Sequence, residues 1–239
     1  MAQLLRLLSP CGNRVTVGLP DKPAVASVAA SVRFAGGSLA RGFSIGPRGY
    51  QKFAATYLVQ ADTADRFVVN GREVVVTRQV NGAGSAAAMI GEFHELYTVF
   101  GGPAPARETI ISLFSTLAVT DEVEGMTVKP AKTTLVDAVQ ELLTVTVPGR
   151  GRVTIPGARY LRSYIPAHRG QATRFGEVWR GNVPGVDTAT KASDHLYTMG
   201  FRRGVGEVHL APDDTTTDDA LYDWMNELNV EWAADVTVD

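Results

Sequence analysis

Two stretches of this chain, residues 97–120 and 208–231, match without a gap at an offset of 111 residues, and no other feature of the sequence limits the fold as much. In the first, Ile110, Leu113, Phe114 and Leu117 stand at i, i+3, i+4 and i+7, which puts all four on one face of a helix. Leu221, Trp224, Met225 and Leu228 hold the same register in the second. Alternating strand patterns precede both helices, Tyr97 and Val99 in one copy and Val208 and Leu210 in the other, and Val119 or Val230 follows. The repeated unit therefore reads strand, helix, strand. Pro105 suits the start of the first helix, where its missing N–H costs nothing. In the second, Thr216 with Asp219 resembles a capping box, and Asp218 and Asp219 favour the helix dipole. Burying four large apolar side chains is worth roughly 6–12 kcal/mol before entropy is subtracted, so each helix is expected to dock on a sheet.

The rest of the chain reads mainly as strands, at residues 14–17, 28–34, 52–59, 66–69, 73–80, 143–147 and 152–155. Asn70-Gly71 between β-branched runs is a two-residue hairpin signal, and Gly149-Arg150-Gly151 suggests a second tight connection. A third helix is expected over residues 134–143, where Leu135, Ala138, Val139 and Leu142 repeat the helical spacing. The expected fold class is α+β and β-rich, with two related lobes, residues 1–132 and 133–239. Each lobe would carry a β-sheet or barrel and a packed amphipathic helix.

At 45% apolar and 20% charged residues the chain lies in the globular range. No apolar run approaches the roughly 18 residues of a membrane-spanning helix. Arg6 and Pro10 spoil the likeness of the first eleven residues to a signal with a lipid-anchor cysteine, so a first strand or helical arm is expected there. Cys11 is the single cysteine, which rules out an internal disulfide and points to synthesis in a cytoplasm. Arginine outnumbers lysine 18 to 5, the usage of a high-GC genome.

Charge is segregated along the chain. Residues 1–149 carry 13 basic and 12 acidic side chains, residues 150–203 carry 10 and 3, and residues 204–239 carry none and 10. Arg150, Arg152, Arg159, Arg162, Arg169, Arg174 and Arg180, interleaved with Tyr160, Tyr164, Phe175 and Trp179, are one half of a candidate interaction surface; Asp213, Asp214, Asp218 and Asp219 are the other. Arginine with aromatic rings can bind phosphates and stack bases, but a pI near 6.1 and the acidic end argue against direct nucleic-acid binding.

No catalytic, cofactor or metal residues are assigned. Gly82-Ala83-Gly84 after a strand imitates a dinucleotide loop, yet no acidic residue follows for a ribose, and a glycine–alanine loop leading into a short helix is expected. Glu92, His94 and Glu95 cluster without a second histidine, while His168, His195 and His209 stand alone. Gly-x-Ser-x-Gly is absent, and Cys11 beside Pro10 has no local activating partner. An enzyme would need a site assembled from distant residues, such as His94 with Arg107 or His168 with Glu177.

The order of strand, proline turn, amphipathic helix and final strand in residues 95–120 and 206–232 resembles the closing unit of Mog1/PsbP-like domains, which are non-catalytic binding modules. The many short threonine- and valine-rich strands, the internal repeat and the high-GC usage resemble virion proteins of phages infecting high-GC bacteria, of the tail-tube, distal-tail and neck types. That resemblance implies a non-enzymatic structural subunit that assembles into rings with copies of itself and neighbouring proteins, resident in the virion and without a cofactor. The first implies a duplicated binding module serving a protein complex.

Overall fold

Antiparallel strand pairing dominates the computed structural model, which describes residues 3–20, 27–58, 60–182, 191–213 and 215–236. β1 (Gln3–Leu8) and β2 (Arg14–Leu19) form the opening hairpin, with Val15, Val17 and Leu19 buried on alternate positions of β2. Contacts divide the chain into a central unit, residues 10–12 and 29–141, and a terminal unit, residues 1–9, 13–28 and 142–239. A single cut between residues 132 and 133 does not describe this division, because the opening hairpin belongs with the carboxyl-terminal residues.

In the central unit β3 (Ser27–Ala35) and β4 (Arg41–Pro47) are followed by a short helix, α1 (Tyr50–Phe53), that runs on into a π turn at Ala54–Leu58. Then come β5 (Ala61–Val69), β6 (Arg72–Gln79), β7 (Gly84–Ile90) and β8 (His94–Gly101). Spatial order in the sheet is β3-β4-β8-β7-β6-β5. Asn70 (φ 51°) and Gly71 (φ 78°) turn β5 into β6, the positive pair that a type I′ hairpin turn requires. α2 (Arg107–Ser115) leads to the small pair β9 (Leu117–Glu122) and β10 (Gly125–Pro130). Ile110 and Phe114 of α2 and Leu117, which opens β9, enter one core with Phe34, Phe43, Met89 and Leu96 of the large sheet and Met126 and Val128 of β10. Leu113 packs half-buried against the same core.

Three expectations fail in this unit. Residues 52–58 are helical and not a strand, because Gly49 takes a left-handed φ of 91° and the carboxylate of Glu95 accepts the N–H groups of Gly49 and Gln51, which caps α1 from a distant strand. Val59 lies outside the described residues. Gly84 opens strand β7 and no helix, since Ala86 and Ala88 are buried beside Tyr97 of β8. Residues 134–143 contain only a 3-10 turn at Thr133–Leu135 before an extended strand, β11 (Ala138–Val147).

In the terminal unit β11 pairs with β12 (Gly151–Pro156) through the glycine turn, with Gly149 at φ 67°. α3 (Leu161–Tyr164), the short β13 (Gln171–Ala172), β14 (Gly176–Asn182), β15 (His195–Phe201), β16 (Gly204–Leu210), α4 (Asp218–Asn226) and β17 (Asn229–Trp232) complete the chain. The large sheet runs β13-β14-β15-β16-β12-β11, and β17 joins β1 and β2 in the order β1-β2-β17. Thr217, one residue later than the sequence suggests, caps α4 by accepting the N–H of Ala220. Leu221, Trp224 and Met225 of α4 are buried, as are Leu228 and Val230 after it.

Neither large sheet closes into a barrel: β5 and β13 each bond a single neighbour. α2 and α4 are both nine residues long and begin 111 residues apart, each preceded by an interior strand of a large sheet and followed by a strand of a small one. Among the described residues no helix is long and apolar enough to cross a membrane.

Candidate functional site

The arginine-rich stretch of the terminal unit is spread over several elements. Arg152 on β12, and Arg159 and Arg162 around α3, are exposed. Arg150 is half-buried and donates to the hydroxyl of Thr216. Arg174 pairs with Glu227 and lies 5.2 Å over the ring of Phe175. Of the acidic group, Asp213 accepts the hydroxyls of Thr215 and Thr216 and Asp218 accepts the N–H of Ala192, while Asp219 is exposed in the first turn of α4. Asp214 lies outside the described residues. Among the described residues Arg174–Glu227 is the one ion pair that joins the basic segment to the acidic one.

Arg169 and Arg180 come together at a cleft of about 520 Å³. The segment from His168 to Thr173, which contains β13, forms one side; Val178, Trp179 and Arg180 of β14 and Tyr197 of β15 form the floor; Tyr222, Met225 and Asn226 of α4 close the other side. The strand period explains most of the floor: Val178 stands opposite Met199 and Arg180 opposite Tyr197 in the β14–β15 register, so they share the sheet face that α4 covers, while Trp179, opposite Thr198, belongs to the other face and borders the cleft beside Gly170. The loop that carries His168 is fixed from two sides: the indole of Trp179 donates to the His168 carbonyl at 2.8 Å, and the carboxylate of Glu177 accepts the N–H of Gly170 at 3.0 Å. Gly170 is required there, since an added Cβ would lie 2.7 Å from the Trp179 ring.

The tyrosines are also held in place. The hydroxyls of Tyr197 and Tyr222 lie 3.3 Å apart, and that of Tyr197 lies 3.2 Å from the carbonyl of Ala192. Burial, followed by the hydrogen bond to Tyr222, pushes the Tyr197 hydroxyl well above the usual phenol range, so it stays neutral.

Neither enzymatic pairing suggested by the sequence is present. Arg107 forks onto Asp65 of β5 with bonds of 2.8 and 2.6 Å, and His94 bonds Asp121. Glu177 is taken by Gly170, although His168 lines the cleft. Among the described residues no three His, Cys, Asp or Glu side chains are arranged to hold a metal ion. A smaller cavity of about 190 Å³ in the central unit is lined mainly by small and aromatic residues of β6, β7 and β8.

Sequence reasoning reached the basic half of the cleft through the interleaved arginines and Trp179. It missed Tyr197, Tyr222 and Asn226, which come from later elements and carry no local signal, and it placed Met225 only in the core. Comparison with protein-family models, with curated proteins and with solved structures finds no match for the chain.

Proposed function

We propose that this chain is a non-enzymatic structural subunit of a larger protein assembly, of the phage tail, baseplate or neck type, built as a degenerate duplication of a sheet with a packed helix. The observation that carries the reading is the segregation of basic and acidic side chains along the sequence, with little pairing between them among the described residues. Residues 150–203 hold ten basic side chains and residues 204–239 ten acidic ones, yet a single ion pair among the described residues connects the two groups. Arg152, Arg159, Arg162 and Asp219 project into solvent, available to complementary surfaces on neighbouring copies. Complementary charge of this kind fixes register and partner choice, and it is screened by salt. The recurrence of a nine-residue helix at an offset of 111 residues supports the duplication.

Sedimentation velocity across a salt series tests the reading. Self-association at low ionic strength that weakens as salt is raised, and that is lost in an Arg152→Glu/Arg159→Glu/Arg162→Glu variant, is expected. A strictly monomeric chain at high concentration and low salt would remove it. The cleft beside α4 favours a second reading, a duplicated binding module of the Mog1/PsbP-like kind acting within a protein complex; stable monomers that retain a ligand in the cleft would favour it over the first.

A further inference from the structure

We propose that the cleft between α4 and the β13–β14 edge binds a small organic oxyanion that carries a planar ring, with the carboxylate or phosphate held by Arg169 and Arg180 and the ring placed against Tyr222. This holds whether or not the chain assembles. The cleft's volume of about 520 Å³ falls in the range of small-molecule sites, roughly 300–1,000 Å³.

The charge of the lining selects the ligand's sign. Arg169 and Arg180 are cationic, and among the described residues no lining side chain is acidic. Among the described carboxylates around it, Glu177 accepts the N–H of Gly170, Glu227 pairs with Arg174, and Asp218 accepts the N–H of Ala192. Among the described residues neither Arg169 nor Arg180 enters an ion pair. Two guanidinium groups outside any ion pair among the described residues offer forked donors suited to carboxylate or phosphate. Asn226 adds a donor, because its Oδ1 already accepts the N–H of Arg174 and leaves the amide NH₂ available.

A ring is favoured by the other wall. Tyr222 is 41% exposed although its hydroxyl is tied to Tyr197, so its ring is held in place and left uncovered. Met225 and Val178 supply the apolar surface alongside. A planar group there gains contact with an immobilised aromatic while the oxyanion meets the arginines.

Calorimetric titration with phenyl phosphate and benzoate tests the proposal and separates phosphate from carboxylate. Inorganic phosphate and acetate serve as ringless anions and benzyl alcohol as the uncharged ring. At least one ring-bearing anion should saturate and bind about tenfold or more tightly than its ringless and uncharged counterparts. Arg169→Ala, Arg180→Ala and Tyr222→Leu should each weaken it, and Arg33→Ala, on β3 of the central unit and outside the cleft, should leave it unchanged. All four side chains are exposed, and melting curves verify that the variants fold. The proposal is overturned if neither ring-bearing anion saturates, if benzyl alcohol binds equally well, or if the two cleft arginine variants bind as the parent does. Binding of a polyglutamate peptide with neither small probe bound would assign the cleft to an acidic protein partner and overturn it too.

Discussion

Asp121 of β9 holds the ring of His94 at the start of β8: Oδ1 lies 2.8 Å from Nδ1, while Oδ2 accepts the N–H groups of Phe93 and His94 at 2.9 and 3.3 Å. The Asp121 side chain is only 3% exposed, and Gly91 makes room for it, since a Cβ there would sit 2.2 Å from Oδ2. One carboxylate thereby ties the small strand pair to the β7–β8 turn. Asp121→Ala strands these donors and should cost about 2–3 kcal/mol in urea unfolding. Asp121→Asn, which keeps one acceptor oxygen, should cost less, and equal losses for the two would argue against the hydrogen bonds as the cause.

The faces of the two long helices make a graded prediction. Phe114 is fully buried, with its ring centroid 6.4 Å from that of Phe43, whereas Leu113 is only half-buried. Phe114→Ala should lose about 3–5 kcal/mol, and Leu113→Ala about 1 kcal/mol. Trp224→Ala should behave like Phe114→Ala, because Trp224 is 4% exposed on the corresponding face of α4. Comparable losses at Leu113 and Phe114 would show that the burial difference does not govern stability.

Gly204 sets a close approach between β16 and β17. An added Cβ would meet the Val230 carbonyl oxygen at 2.3 Å, and a backbone atom cannot swing aside as a side-chain tip can. Gly204→Ala should therefore destabilise by about 2 kcal/mol or more. Gly181 on β14 is the control, since its Cβ would lie at an ordinary 3.5 Å from its nearest neighbour. If both alanine variants unfold at the same urea concentration, the close approach is not limiting.

Elements defined by local period were legible in the sequence, and those decided by distant contacts were not. The helical faces around Phe114 and Trp224, the Asn70-Gly71 turn and most strand cores follow from spacing and turn chemistry within a few residues. Leu135, Ala138, Val139 and Leu142 also have helical spacing, but that stretch is partly exposed, and pairing of Leu142–Val147 with β12 fixes the extended form. The turn of helix at Tyr50 depends on Glu95, 44 residues away from Gln51, which no local pattern can reveal. The cleft divides in the same way: its arginines form a visible run, while Tyr197 and Tyr222 reach it only through strand register and the docking of α4.

Two carboxyl groups of the terminal unit should move its stability with pH in opposite directions. Glu207 stands between Thr154 and Thr198 in register on β16, and burial pushes its carboxyl above the ordinary 4.5. The native chain thus keeps a proton that the unfolded chain has released, and stability falls as pH rises through the window above 4.5. Glu207→Gln, neutral throughout, should unfold at a higher urea concentration than the parent at about pH 7, and the advantage should vanish at about pH 4. The Asp213 carboxyl is instead lowered from 3.8 to about 2, first by the Thr216 hydroxyl and then by the hydroxyl and N–H of Thr215. Its contribution is present above about pH 4 and is lost as pH falls toward 2, so Asp213→Asn should flatten that acid limb. Urea midpoints from about pH 7 to 2 for the three proteins decide the matter: a Glu207→Gln difference that grows on acidification would reverse the sign argued here and place a stabilising partner beside the carboxylate.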